Sequence, residues 1–215
     1  MNMATVSTIK TFPREKAIVG AEMSSNLYRT LPYFVAKALS EVPLVGVFNS
    51  IFAAIIYPLT GLQKGRFLNF LGLSTLHTLT SEAAGLLISS ISPNSEVALS
   101  LFPPLVVLNI IFDGRNISEE NTPKLLRWIP KVGLVRWAFE GLAINEFTGL
   151  RFDASSPKRG PMIKDGIDAL ASFGIEKRTL WDVIKAQRNI ISICWILSYL
   201  GISLTRQKFE VMRSL

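Results

Sequence analysis

The sequence has few of the residues on which most metal and catalytic sites depend. Its 215 residues include one cysteine, Cys194, and one histidine, His77. One cysteine excludes an internal disulfide and a cysteine-rich metal site, and one histidine leaves little for a multi-histidine site or a His-based triad. Cys194 lies in an apolar run, where a free cysteine behaves as a small buried apolar residue. We therefore predict no catalytic, cofactor-binding or metal-binding residue on this chain.

Charged residues are scarce as well. They make up 18% of the chain, against roughly 25% in soluble domains. Hydrophobic residues make up 49%, and the mean hydropathy is +0.35. The net charge of +7 is compatible with nucleic acid or with anionic lipid as a partner. The apolar runs favour lipid, and no basic block with interleaved aromatic residues indicates a nucleic-acid module. We expect a multi-pass integral membrane protein with no nucleic-acid partner.

Four apolar segments are candidate membrane helices, because a spanning helix needs about 20 mostly apolar residues. They are Tyr33–Leu59, Phe67–Ile91, Val97–Phe112 and Asn189–Leu204. Pro103-Pro104 is expected to break the third, which is acceptable only where the break is buried in protein or lines a cavity. The predicted fold class is all-α: a polytopic membrane bundle of about four spanning helices with a partly helical external loop.

Basic residues in the short flanks predict the orientation of the chain. The N-terminal flank carries Lys10, Arg14, Lys16 and Arg29, and the C-terminal tail is basic as well. By the positive-inside rule, both flanks lie in the cytoplasm. Asp113–Arg188 then lies on the opposite side, since long loops translocate largely regardless of their charge.

Several short motifs occur in a fixed order along the chain. They are F-P-R-E-x-A-I-V from Phe12, Y-R-x-x-x-Y-F-x-A-K-x-L-x-E-x-P from Tyr28, E-N-T-P at Glu120–Pro123, R-W-I-P at Arg127–Pro130, R-W-A-F-E-G-L at Arg136–Leu142 and N-E-F-x-G-L-x-F at Asn145–Phe152. This ordered set, over about Thr11–Leu204, resembles the membrane domain of G-subfamily ABC transporters. That group includes the White/Scarlet/Brown pigment-precursor transporters, and the likeness is greatest to plant and algal half-transporters.

The resemblance implies an organisation for this chain. The family has a nucleotide-binding domain followed by six spans and works as a dimer, and this chain resembles the last four spans. Residues 1–31 would be a cytoplasmic coupling segment, 32–113 three transmembrane helices, 114–188 an external loop with re-entrant helices, and 189–215 the last transmembrane helix and a cytoplasmic tail. No G-x-x-x-x-G-K-[ST] phosphate loop occurs, so ATP and Mg would be held by a partner domain. The implied partners are a nucleotide-binding domain, a second membrane half (homo- or heterodimer) and the lipid bilayer; the membrane, plasma or plastid, is left open.

The resemblance also assigns roles to two groups of residues. Glu15, Glu22, Tyr28 and Arg29 match the coupling segment, which contacts the nucleotide-binding domain; the alternative is a solvated amphipathic helix. Pro103, Pro104, Val107 and Ile110 match positions that line the substrate cavity; the alternative is helix packing. Apolar side chains at these four positions suit an apolar or sterol-like cargo.

Polar residues within the spans have a structural interpretation. Lys37 and Glu41 are four residues apart and can pair on one helix face, as part of a helix interface. His77 and Glu82 are five apart, which favours packing contacts in the membrane over a proton relay. The small residues Ala83-Ala84-Gly85 permit close helix packing.

These features predict a partial permease domain of an ABC transporter, not an enzyme, that moves an apolar or lipid-like substrate. ATP would be hydrolysed on a separate or missing domain. The alternatives are a free-standing permease subunit that recruits such a domain, and a truncated, non-transporting protein that pairs with half-transporters and modulates them. An intramembrane hydrolase is weakly supported, since one histidine and one nearby carboxylate do not make a catalytic set.

Overall fold

The computed structural model describes residues 2–25, 27–113, 124–126, 128–152 and 165–204. The E-N-T-P motif, Arg127 and the tail after Leu204 lie outside these residues. Over the described ranges the regular structure is helical, without a β-strand; Arg151 and Asp165 form an isolated antiparallel bridge. The α-helices are α1 (Asn2–Ser24), α2 (Thr30–Leu59), α3 (Phe67–Ile91), α4 (Ser95–Ile111), α5 (Ile129–Val132), α6 (Leu134–Phe147), α7 (Gly166–Ser172) and α8 (Leu180–Leu204), with short 3-10 helices at Lys64–Arg66 and Lys124–Leu126.

Two helices agree with the predicted spans to different degrees: α3 matches its span, whereas α8 starts earlier than its span. α3 has the predicted bounds, and it follows a turn in which Gly61 takes a positive φ of 67°, a conformation that favours glycine. α8 begins at Leu180, well before the predicted Asn189. Its start is fixed by a capping box, in which the backbone N–H and hydroxyl of Thr179 donate to Asp182 Oδ2 at 3.0 and 2.8 Å. These hydrogen bonds lower the pKa of Asp182.

The prediction that Pro103-Pro104 breaks the third span is wrong. α4 is continuous from Ser95 to Ile111 with both prolines inside it. Each proline removes one backbone donor but has a φ angle that suits a helix. The helix is held by tertiary packing, because Leu99, Phe102 and Leu105 contact a buried apolar cluster formed with α1 and α3. Packing of this kind outweighs the loss of two intrahelical hydrogen bonds.

α2 is the helix that most clearly suits a bilayer. Among the described residues it alone is both long enough and apolar enough to cross a membrane, and only 17% of its apolar window is buried. α4 is apolar but has 17 residues. α3 and α8 have 25 residues each, but polar side chains such as His77, Glu82 and Gln187 reduce their apolar character.

The chain divides into two compact units. The first comprises the described residues of Met1–Val45, Thr78–Leu105 and Ile191–Leu215. Residues from α1, α2, α3 and α8 form one of its cores: Phe12, Phe34, Leu86 and Ile202, with Tyr33, Trp195 and Tyr199 packed against them. Ile9, Ile88 and Ala98 form a second core. The first half of α1 is therefore part of a helical bundle, because its apolar side chains are buried among other helices.

The second unit comprises the described residues of Gly46–His77 and Val106–Ile190. Ala53, Tyr57 and Phe70 form its core, and Leu142 of α6 packs against it. Two glycines allow close contacts in this unit. A Cβ at Gly141 would lie 2.9 Å from Val183 Cγ1, and one at Gly166 would lie 1.7 Å from the carbonyl oxygen of Phe147. The second distance leaves no room for a side chain at the start of α7.

Close packing at Gly85 gives a testable prediction. A Cβ at Gly85 would lie 3.0 Å from the carbonyl oxygen of Thr5 and 3.2 Å from Thr8 Cβ, so a larger side chain would push α1 away from α3. We expect Gly85→Leu to lower the stability by about 1–3 kcal/mol, the usual cost of overpacking. Thermal unfolding of the detergent-solubilised protein measures this effect.

Gly72 of the same helix provides the control. A Cβ at Gly72 would meet no atom within 4 Å, so Gly72→Leu should leave the unfolding temperature unchanged or raise it. Equal unfolding temperatures for the two leucine variants would contradict a close α1–α3 contact.

Candidate functional site

The second half of α1 has one buried face and one exposed face. Val19 and Met23 are buried, whereas Arg14 and Ile18, one turn apart, are exposed. The segment that follows α1 exposes further large side chains. We call the exposed set the coupling surface; it consists of Arg14, Ile18, Leu27, Arg29 and Leu31. Exposed apolar side chains beside positive charges are a common composition for a protein-binding surface.

The predicted coupling residues divide between this surface and internal contacts. Arg29 is exposed. The hydroxyl of Tyr28 donates to Glu22 Oε2 at 2.5 Å, and the Tyr28 ring stacks on Tyr33 with 6.2 Å between centroids. The hydrogen bond to the Glu22 carboxylate is the largest of the causes that raise the pKa of Tyr28. Glu15 pairs with Lys37, at 2.9 Å between Oε2 and Nζ. Both predicted carboxylates therefore bind partners within the chain.

The pair of Lys37 and Glu41 is part of a larger polar cluster. Lys37 Nζ lies 3.2 Å from Glu41 Oε1 in addition to its contact with Glu15. Lys37, Glu41 and Glu82 line a cavity of about 30 Å³, which is large enough to hold a water molecule. Glu82 Oε2 is buried and has no hydrogen-bond partner among the described residues. We call Glu15, Lys37, Glu41 and Glu82 the Lys37 cluster: it sets one ammonium against three carboxylates.

His77 and Glu82 of α3, for which packing contacts are predicted, have different surroundings. Glu82 lines this cavity, and His77 is not among its lining residues. Among the described residues no group of three histidine, cysteine, aspartate or glutamate side chains could hold a metal ion. Cys194 is buried, as expected for a small apolar residue.

Lys16 ties α1 to the end of α3, a contact that the sequence did not indicate. Its ammonium donates to the carbonyl oxygens of Ser90 and Ser92 at 2.7 and 3.4 Å. A cation at a helix C-terminus satisfies carbonyls without an intrahelical donor and interacts favourably with the helix dipole. Burial lowers the pKa of Lys16. Its partners are more than seventy positions away in the chain, so no local pattern could have predicted them.

The predicted cavity residues lie on an open face of α4. Pro103, Val107 and Ile110 follow a spacing of four and three residues and share that face, while Pro104 lies beside them and is also exposed. Val107 and Ile110 are 53% and 50% exposed. Asn109 is buried, and its Oδ1 accepts a hydrogen bond from the Leu134 N–H at 2.8 Å.

A buried charge network forms around the R-W-A-F-E-G-L motif. Glu140 Oε1 lies 2.8 Å from Arg136 Nε, and Glu140 Oε2 lies 3.2 Å from Arg178 Nη1. Both guanidinium groups lie over the Trp137 ring, at 5.6 and 4.9 Å from its centroid. The spacing of Arg136 and Glu140 indicates their pairing in a helix, but nothing in the sequence pattern points to Arg178.

The N-E-F motif holds the turn between α2 and α3. The Gln63 N–H donates to Glu146 Oε1 at 3.1 Å, and its side-chain amide donates to the Glu146 carbonyl at 2.6 Å. Arg66 Nη1 donates to the Asn145 carbonyl at 2.8 Å. We call these contacts the turn clamp; they join the turn to the C-terminal end of α6.

Known proteins are similar to this chain over much of its length. The family model described as ABC-2 type transporter matches residues 1–147. ABC transporter G family member 7 of Arabidopsis thaliana is 34% identical over 214 residues, or 99% of this chain. Protein white of Drosophila melanogaster is 36% identical over 143 residues (66%), and ABC transporter G family member 1 of Dictyostelium discoideum 28% identical over 217 residues (96%). The chain covers 29%, 21% and 27% of these three proteins, which is less than a third of each.

The buried network gives a prediction for Glu140. Glu140→Gln removes the carboxylate charge that both guanidinium groups contact, and Arg136 is only 5% exposed. Breaking a buried ion pair usually costs about 3–5 kcal/mol, so we expect a clear fall in the unfolding temperature. The exposed Glu176 allows a matched control, and Glu176→Gln should have little effect. Comparable losses in the two variants would show that the network does not stabilise this region.

Proposed function

The chain belongs to the ABC-2 type transporter family, and we propose that it is a partial permease domain driven by ATP hydrolysis on a nucleotide-binding domain. The observation that carries this proposal is the family match over residues 1–147, which includes α1 to α6. The membership confirms the predicted resemblance to the membrane domain of G-subfamily half-transporters and the predicted class, a helical polytopic membrane protein. We also propose that the helices cross the bilayer at the predicted spans, with the N-terminal flank in the cytoplasm.

ATP and Mg would be bound by a nucleotide-binding domain outside these 215 residues. The chain contains no phosphate loop, and its own contribution would be mechanical. The nucleotide-binding domain would press on the coupling surface, and α1 would pass the movement to the helices that it contacts. Glu15 and Glu22 would shape this surface from within, because their carboxylates are bound by Lys37 and Tyr28. Arg29 would contact the partner directly.

The substrate would be apolar or lipid-like. The open face of α4 presents Pro103, Pro104, Val107 and Ile110, without a charged group at these positions. An apolar face of this kind suits one wall of a substrate cavity, and a second membrane half would supply the opposite wall. We therefore propose that two such halves, in a homo- or heterodimer, enclose the substrate between their α4 helices.

Reconstitution of the partnership tests this function. The chain is expressed in membranes together with a separately expressed nucleotide-binding domain of a G-subfamily transporter. We expect the two to co-purify, and we expect vanadate-sensitive ATP hydrolysis to rise when the chain is present. Co-purification with a complete half-transporter, without binding to the isolated domain, would instead support a modulator that does not transport.

Variants of the coupling surface make the binding test specific. Ile18→Asp places a charge at the centre of the proposed contact, and we expect it to weaken binding about tenfold, which corresponds to ~1.4 kcal/mol. Ile167→Asp in α7 is the control, because Ile18 and Ile167 are 62% and 64% exposed. Pull-down titrations measure both affinities. Equal binding by the two variants would place the partner elsewhere.

The α4 face gives a prediction about transport. Val107→Trp narrows the proposed cavity, and we expect it to reduce the transport of a fluorescent sterol or phospholipid analogue by the reconstituted complex. Val47→Trp on α2 is the control, because Val107 and Val47 are 53% and 58% exposed and both gain the same side chain. Transport that is unchanged in Val107→Trp would argue against this face as a cavity wall.

A further inference from the structure

We propose that Lys37 is a positioning residue that joins α1 to α2 and transfers a movement of α1 to the helical bundle. The inference rests on the proposed function, since it concerns how a force applied to α1 reaches the other helices. It assigns Lys37 a role beyond an ion pair with Glu41 within α2. Its basis is the arrangement of the Lys37 cluster.

The ammonium of Lys37 connects two helices. It lies 2.9 Å from Glu15 Oε2 and donates a hydrogen bond to Glu15 Oε1 at 3.1 Å, so it binds both oxygens of one carboxylate. Glu15 belongs to α1 and Lys37 to α2. Glu41 is one turn from Lys37 on the same helix and cannot join helices by itself. The contact with Glu15 therefore opposes any displacement of α1 along α2.

A second carboxylate is available to the same ammonium from α3. Glu82 lines the cavity that Lys37 also lines, and its Oε2 has no hydrogen-bond partner among the described residues. Thr8 of α1 and Trp195 of α8 face this cavity as well. The cavity leaves room for movement of the ammonium, and a lysine stem is long and flexible. When α1 shifts and Glu15 withdraws, Lys37 binds Glu82 and so links α2 to α3.

This exchange gives the cluster two alternative arrangements. In one, Lys37 holds Glu15 and α1 is fixed to α2. In the other, Lys37 holds Glu82 and α2 is fixed to α3. A movement of α1 then selects between two discrete packings, which is how small displacements become larger rearrangements. Glu41 keeps one carboxylate beside the ammonium in both arrangements.

The first experiment needs no partner domain. In a Cys194→Ala background, Thr11→Cys carries a spin label on the exposed side of α1, and electron paramagnetic resonance in membranes reports its mobility. We expect Lys37→Met to raise the label's mobility and Lys37→Arg to restore it. Lys185→Met, at an exposed lysine of α8, is the matched control and should leave the mobility unchanged. Unchanged mobility in Lys37→Met, with the protein folded by circular dichroism, would overturn the proposal.

A double-mutant cycle tests whether Lys37 acts through Glu15. We expect Glu15→Gln and Lys37→Met to raise the mobility by similar amounts, and the double variant to add little to either. Additive effects would mean that Lys37 does not act through Glu15. Glu82→Gln should leave the mobility as in the unmodified chain, because α1 is still held.

The second experiment separates positioning from stability in the complex with the nucleotide-binding domain. We expect Lys37→Met and Glu82→Gln to transport about tenfold less substrate for each ATP hydrolysed, a ratio that does not depend on how much of the domain is bound. A normal ratio of transport to hydrolysis in both variants would overturn the proposal. Failure of the unmodified chain to bind the domain would overturn the proposed function instead, while the mobility measurements would still decide whether Lys37 holds α1.

Discussion

The close approach of α1 to α3 is the constraint on which the first compact unit depends. It is possible because residue 85 is glycine and leaves space for the backbone of Thr5. The approach buries Ile9 and Phe12, and it brings Lys16 to the carbonyls at the end of α3. α1 is thus held in the bundle through its first half, and its second half presents exposed side chains. The coupling surface and the Lys37 cluster both depend on this attachment.

The sequence allowed good predictions where local signals dominate. The bounds of α3 could be predicted because a glycine turn precedes it and Pro93 follows it, so the apolar run has clear ends. The pairing of Lys37 with Glu41 follows from helical spacing alone. The start of α8 was missed because Leu180–Arg188 is rich in charge, although the T-L-W-D capping box was visible in the sequence. A capping signal was the better guide there than apolar content.

Features set by tertiary contacts could not be predicted in this way. The Pro103-Pro104 pair suggests a break when α4 is considered alone, and packing against α1 and α3 explains why the helix continues. Glu15 pairs with Lys37 on another helix. The charge pattern of α1 alone therefore could not show whether the Glu15 carboxylate is free on the surface or bound within the chain. Arg178 joins Glu140 from a separate segment of the chain for the same reason. In each case the deciding neighbour is distant in sequence.

The turn clamp has a consequence for the order in which the protein is built. Gln63 and Arg66 obtain their partners from Asn145 and Glu146, which the ribosome adds about eighty residues later. Until α6 has been synthesised, the Gln63 N–H and the Arg66 guanidinium lack these partners, so the turn clamp can form only after α6 has folded. The turn between α2 and α3 is therefore completed later in synthesis than the two helices that it joins.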